Sequence, residues 1–183
     1  MVVVPVQDRP DQEDVQQPAE ATEPDRLMKL LSTVCDPEIP VLTLEDLGVL
    51  RNVTIHDGEV EVTITPTYSG CPAMAAMRQD IEDTLEVAGY AQVTVKQSLS
   101  PAWNTDLMSA AGRDKLRTYG IAPPVLRRTS RANDNDTGEV QGIECPQCDS
   151  NQVELISEFG STACKALYRC KDCREPFDYF KCI

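Results

Sequence analysis

Two Cys-x-x-Cys pairs, Cys145-Pro-Gln-Cys148 and Cys170-Lys-Asp-Cys173, stand 21 residues apart and constrain this chain more than any other feature. Each pair makes a tight turn that presents two thiolates, and two such turns complete a tetrahedral four-sulfur metal site. The separation slightly exceeds the ~15–20 residues usual for this pattern, a small departure for a loop. Between and after the pairs, QVELISEF, KALYRC and FDYFKCI are strand-like. The spacing predicts a zinc ribbon. Fewer than ~40 residues cannot bury enough apolar surface alone, so the metal is needed for folding. A rubredoxin-like iron site is the alternative, because tetrathiolate geometry also suits iron. Four ligands leave no open coordination position for chemistry. Cys164 and Cys182 are left over, either as buried strand thiols or as a second thiol pair able to hold iron or exchange sulfur.

The opening residues, MVVVPVQDRPDQEDV, lack a basic segment followed by a long apolar one, so no secretory signal is expected. Without export, eight cysteines read as metal ligands or reactive thiols rather than disulfides, and the expected compartment is the cytoplasm. No stretch approaches the ~20 apolar residues of a membrane span. The net charge of −13 disfavours nucleic acid, whose phosphates an acidic surface repels. The charge reverses over residues 101–131, where six bases face two acids. Such a run either docks an acidic protein or forms a solvated helix face and linker, and the second is expected.

Residues 1–23 are rich in Gln, Glu, Asp and Pro without periodicity and are expected to be a disordered acidic tail. From Asp25, the helical spacing of Leu27, Leu30, Leu31, Val34 and Cys35 predicts an amphipathic helix that ends at Asp36-Pro37, with Cys35 as a core thiol. In VTIHDGEVEVTI, Asp57-Gly58 is a hairpin signal, and the register it sets pairs Ile55 with Val60 and Val53 with Val62. His56, the single histidine, falls opposite Glu59 on the polar face, which excludes histidine-based hydrolases and zinc-hydroxide enzymes. Met74, Met77, Ile81, Leu85 and Ala88 form a second helical stripe closed by Gly89, and residues 91–97 alternate as a third strand. The strand–helix–strand run over residues 60–97 implies parallel strands. Thr105 is the expected cap of a further helix ending near Gly120, and Trp103 is expected to pack on the sheet. Residues 123–143 read as a linker.

The stretch TYSGCPAM, residues 67–74, follows the carboxyl end of a strand, where open α/β sheets place their sites. With Pro72 at the first helical position, Cys71 becomes the helix N-cap, facing unpaired N–H groups and the positive end of a dipole. Such a position favours thiolate over thiol. The alternative is a small buried residue that only closes the turn.

Asp36-Pro37-Glu38-Ile39-Pro40 and Tyr68-Ser69-Gly70-Cys71-Pro72, on an α-β-β-α-β scaffold, resemble the MIP-type iron–sulfur assembly domain family. With Pro101-Ala102-Trp103, the segment Gly120-Ile121-Ala122-Pro123-Pro124, Phe159–Cys170 and the ending Glu175–Cys182, residues 25–183 resemble the PaaD family of bacterial phenylacetate degradation. Together with the tail, linker and ribbon read above, the resemblance gives an α+β chain: a tail over 1–23, an assembly-type domain over 24–122, a linker over 123–143 and a zinc ribbon over 144–183. It implies a place in the phenylacetyl-CoA ring-epoxidase gene set, whose oxygenase is a di-iron protein fed by a reductase carrying flavin and a [2Fe–2S] cluster. This chain has neither Glu-x-x-His pairs nor GxGxxG. The expected role is therefore a non-enzymatic accessory factor that installs or repairs metal centres, chiefly the reductase's cluster. A non-catalytic structural subunit of the oxygenase complex is the alternative. Carried over from the family, Cys71 is the reactive or cluster-touching thiol, with Asp36 and Glu38 near it. The implied cofactors are structural zinc and a transient iron–sulfur cluster, and the implied partners are epoxidase components.

Overall fold

The computed structural model describes residues 21–125 and 142–181; most of the expected acidic tail and linker, and Cys182, lie outside them. Helix α1 spans Glu23–Leu31. It starts two residues before the periodicity implied, because Thr22 and Asp25 form a capping box in which each side chain meets the other's backbone N–H. It also stops early. Ser32 and Thr33 turn their hydroxyls onto the carbonyls of Lys29 and Leu30, both at 2.8 Å. The chain then leaves helical spacing, and Cys35 pairs with Thr43 in an isolated bridge and is exposed, not in the core.

Strands β1 (Leu50–His56) and β2 (Glu59–Ile64) form the hairpin, with Ile55 opposite Val60, Val53 opposite Val62 and His56 opposite Glu59. Asp57 and Gly58 both take positive φ, 51° and 86°, as a tight two-residue hairpin turn requires. Helix α2 (Met74–Val87) buries Met74, Met77, Ile81 and Leu85 and is closed by Gly89 at φ 97°. It returns the chain to β3 (Val93–Gln97), parallel to β2. The first sheet therefore runs β1-β2-β3.

A 3₁₀ turn at Thr105–Leu107 precedes α3 (Ala110–Tyr119). Thr105 caps neither; Asn104 caps the 3₁₀ turn and Ser109 caps α3, accepting from the Gly112 N–H at 2.8 Å. Trp103, just ahead of the 3₁₀ turn, is buried and donates its indole N–H to the Leu47 carbonyl at 2.7 Å. Strands β4 (Ile121–Ala122), β5 (Val153–Ser157), β6 (Lys165–Cys170) and β7 (Pro176–Phe180) build a second sheet in the order β4-β7-β6-β5. This small sheet is not a separate bead. Cys164 and Phe180 are buried in the same apolar cluster as α1, α2 and the first sheet, and Phe180 meets Trp103 edge-on, ring centroids 6.0 Å apart.

The basic residues of α3 are engaged within the chain. Lys115 pairs with Asp46 at 2.5 Å, Arg113 donates to the carbonyls of Thr105 and Pro124, and Arg117 reaches Glu144 and Asp149 beside the first Cys-x-x-Cys turn. Among the described residues no helix is long and apolar enough to cross a membrane.

Candidate metal and thiol sites

Cys145, Cys148, Cys170 and Cys173 converge so that all four sulfurs lie within 4.8 Å of one another. Cys145 Sγ and Cys173 Sγ are 3.7 Å apart, and Cys148 Sγ and Cys170 Sγ 3.6 Å. A tetrahedral ion with Zn–S bonds near 2.3 Å demands sulfur–sulfur edges of about 3.8 Å, so the donor set fits such an ion. The two turns are built alike. In each, the first cysteine's carbonyl accepts from the residue four positions on, Asp149 at 2.9 Å and Arg174 at 3.1 Å. Those same residues take positive φ, 62° and 68°, immediately after the second cysteine. This curl aims backbone N–H groups at sulfur. The amides of Cys173 and Asp172, with the Cys148 and Cys173 thiols, draw the Cys170 thiol down to about 6, while Cys145, Cys148 and Cys173 are raised, so the first negative charge in the cluster falls on Cys170.

The second site lies where the two sheets meet. Asp36 is buried, and its Oδ1 accepts from the backbone N–H groups of Glu38 at 2.7 Å and Ile39 at 2.8 Å, fixing the loop that presents Glu38. Glu38 Oε2 lies 4.0 Å from the buried Cys164 Sγ, which also contacts Thr162 Oγ1 at 3.0 Å. Cys71, half-buried on the β2–α2 loop, packs against the same core cluster. Its thiol lies in the field of Glu38, Asp36 and Cys164. Tyr68 feels Cys71, Cys164 and Glu38 in the same way. Lys165, buried and 3.9 Å from Asp178 Oδ2, supplies a positive charge that acts on both Asp36 and Cys164.

Cys71 departs from the sequence expectation in two respects. The N-cap of α2 is Ala73, two residues later, and its side chain makes no capping bond. The Cys71 thiol is also raised, not lowered. Burial is the main cause; the Ala73 N–H opposes it, but the carboxylates of Glu38 and Asp36 and the Cys164 thiol add to it. Cys164 is raised for the same reasons, burial first. Both thiols thus hold their protons more tightly than a free cysteine, with burial the main cause. Lys165, Thr162 and Tyr68 were not anticipated as neighbours, and nothing in local sequence links residue 71 to residue 164; only the packing of the second sheet on the first does so.

Two family models match: the PaaD zinc beta ribbon domain over residues 129–181 and the iron–sulfur cluster assembly protein domain over residues 24–96. A protein of Escherichia coli K12 that is named as a component of 1,2-phenylacetyl-CoA epoxidase is 50% identical over 154 residues, 84% of this chain and 90% of that one. An Fe-S protein maturation auxiliary factor of Porphyromonas gingivalis W83 is 42% identical over 85 residues, 45% of this chain and 80% of its own length. A crystal structure of a domain of unknown function from Bacillus anthracis is 26% identical, covering 50% of this chain and 89% of that one, with a TM-score of 0.47.

Proposed function

The chain belongs to the PaaD family of 1,2-phenylacetyl-CoA epoxidase components, and on that premise we propose that it is a cytoplasmic, non-enzymatic maturation factor of the ring-epoxidase system. Its cargo is an iron–sulfur centre, and the receiving partner is the epoxidase's iron–sulfur reductase. Zinc fills the four-cysteine site as a structural ion. One observation carries the reading. The four-cysteine site is a closed donor set, whereas Cys71 stands apart from it, half-buried beside Glu38, Asp36 and a second thiol. Cargo needs a site from which it can leave, and a closed tetrathiolate offers none.

A thiol kept protonated until a soft cation arrives suits transient loading. The incoming metal displaces the proton, and the neighbouring carboxylates favour the cation. The maturation factor from Porphyromonas gingivalis, which this chain resembles over 85 residues, supports the same class of role.

The test is Cys71→Ser in cells growing on phenylacetate. Serine fills the space but is a poor ligand for a soft metal and a weak nucleophile. The variant should accumulate as soluble, zinc-loaded protein, while the reductase purified from those cells carries less than about half its iron and sulfide and growth fails. A fully loaded reductase with normal growth would reject the maturation role for Cys71.

A further inference from the structure

We infer that a cleft at the carboxyl ends of β2 and β3 receives one tyrosine side chain of the receiving protein and so seats that protein over the Cys71 turn. The inference rests on the maturation reading above and adds where the partner is gripped and by what chemistry.

The cleft holds about 160 Å³. One wall is the segment that follows β2, residues 65–69, and the other is the segment that follows β3, with Leu99, Ala102 and Trp103. β2 and β3 are parallel neighbours whose continuations part, one into α2 and the other toward the 3₁₀ turn. Such a crevice is where open α/β sheets take their ligands. The Cys71 N–H donates to the Tyr68 carbonyl at 3.2 Å, and Tyr68 lines the cleft, so the thiol's turn and one wall are the same piece of backbone.

Floor and rim differ. Thr65, Pro66 and Trp103 are buried, whereas Ser69, Leu99 and Ala102 are exposed. Thr65 is 2% exposed, yet its hydroxyl bonds to no described residue. Among the described residues no side-chain nitrogen or oxygen is both sealed from solvent and unpaired. The Thr65 hydroxyl therefore opens into the cleft it lines, and an occupant that reaches the floor without a polar tip would strand it.

Volume, charge and depth select the occupant. A space of about 150 Å³ holds a benzene ring, whereas pockets for whole small molecules run from about 300 Å³ upward. The cleft therefore takes one ring-sized group. No acidic or basic side chain lines it, so an ammonium, guanidinium or carboxylate would lose its hydration and meet no counter-charge. The Trp103 indole N–H is already given to Leu47, which leaves its ring and Leu99 as apolar contacts. A neutral ring with a hydroxyl at its far end satisfies all three conditions, and among side chains that is tyrosine. Its ring would also cover Leu99, which is 56% exposed.

The experiment uses the full, zinc-loaded chain and two readouts. In the first, p-cresol (the tyrosine side chain ending at Cβ), toluene and phenylacetate are titrated while the single indole N–H, that of Trp103, is followed by NMR. p-Cresol should saturate the shift in the millimolar range, toluene should bind at least about threefold more weakly, and phenylacetate should not saturate. Thr65→Val should erase the preference for p-cresol and Thr65→Ser should keep it. In the second, binding to the iron-free epoxidase reductase is measured by interferometry. Leu99→Ala and Thr65→Val should weaken it at least about fivefold, whereas Thr65→Ser and the exposed control Val87→Ala stay within about twofold of wild type. Zinc content and circular dichroism confirm the fold of each variant. Equal binding of p-cresol and toluene, or a preference that survives Thr65→Val, overturns the chemistry assigned to the cleft. Wild-type reductase affinity in folded Leu99→Ala and Thr65→Val overturns the partner, and would leave the cleft to a free small molecule if p-cresol still binds. Absence of reductase binding by the wild type overturns the partner equally. Neither readout involves iron, sulfide or the Cys71 thiol, so the cellular Cys71→Ser test fails or succeeds separately.

Discussion

Asp36 shows how one buried carboxylate can serve the loop and burden it at once. Its Oδ1 satisfies two backbone N–H groups, while burial raises its pKa above the ordinary carboxylate value, with Lys165 giving partial relief. A raised folded-state pKa means that the group's contribution to stability is greatest below the unfolded value and declines as pH rises through the folded one. Asp36→Asn keeps the acceptor and removes the charge. It should therefore unfold at an equal or slightly higher denaturant concentration at pH 7, and the gap to wild type should close in acid. Asp36→Ala removes the acceptor and leaves the buried Ile39 N–H unpaired, a cost of about 1–3 kcal/mol at every pH. Urea titrations of the three proteins at pH 4 and pH 7 check both signs. An Asn variant that is less stable than wild type at pH 7 by as much as Ala would mean that the charge itself holds the loop.

At the scale of elements, the parts legible in the sequence were those set by neighbours within a few residues. The Asp57-Gly58 turn fixed the hairpin register, the methionine and leucine stripe marked α2, and Gly89 marked its end. Each depends on local backbone geometry or period, which sequence carries directly. The end of α1 and the start of α3 were not legible. At α3 the reason is a distant group: Ser109 caps the helix and also donates to Asp46 Oδ1 at 3.0 Å, so residue 46 decides where the helix begins. Burial alone would raise the Asp46 carboxyl, but the Lys115 ammonium, the Thr43 amide and hydroxyl and the Ser109 hydroxyl together hold it below its ordinary value. A depressed pKa contributes stability above the unfolded value of about 4 and loses it as pH falls through the folded one. Ser109→Ala should cost about 1–2 kcal/mol at pH 7, the sum of a helix cap and a hydrogen bond to a carboxylate. Asp46→Asn should also destabilise at pH 7 and should approach wild type in acid. Denaturant midpoints across pH 3–7 measure this, and a deficit unchanged at pH 3 would show that Lys115 and Ser109 do not act through the carboxylate's charge.

At the scale of the whole molecule, both Cys-x-x-Cys pairs were plain from spacing, yet the placement of the ribbon against the first sheet was not. That placement depends on Phe180, Trp103 and Cys164 meeting across a shared core, and on Arg117 gripping Glu144 and Asp149 beside the metal turn. No period or motif encodes a contact between residues as far apart in the chain as Trp103 and Phe180. The consequence is that metal in the ribbon should govern the first sheet as well. Binding energy at a structural metal site is folding energy, so removing the ion should unfold β5–β7. Phe180 then leaves the core, and burying a side chain of its kind contributes about 1.5–3 kcal/mol. Trp103, the only tryptophan, loses its edge-on partner and reports the event. Treating the zinc-loaded chain with a strong chelator, or replacing Cys148 by Ser, should shift Trp103 emission to the red and raise its quenching by acrylamide severalfold. Cys71 should become more readily alkylated in the same samples, because the shared core it packs against opens and burial, the main cause of its raised pKa, is relieved. Readdition of zinc should reverse both signals. If zinc leaves while Trp103 emission and Cys71 alkylation stay at wild-type levels, the two sheets are independent bodies, and the thiol from the ribbon cannot be part of a site built across them.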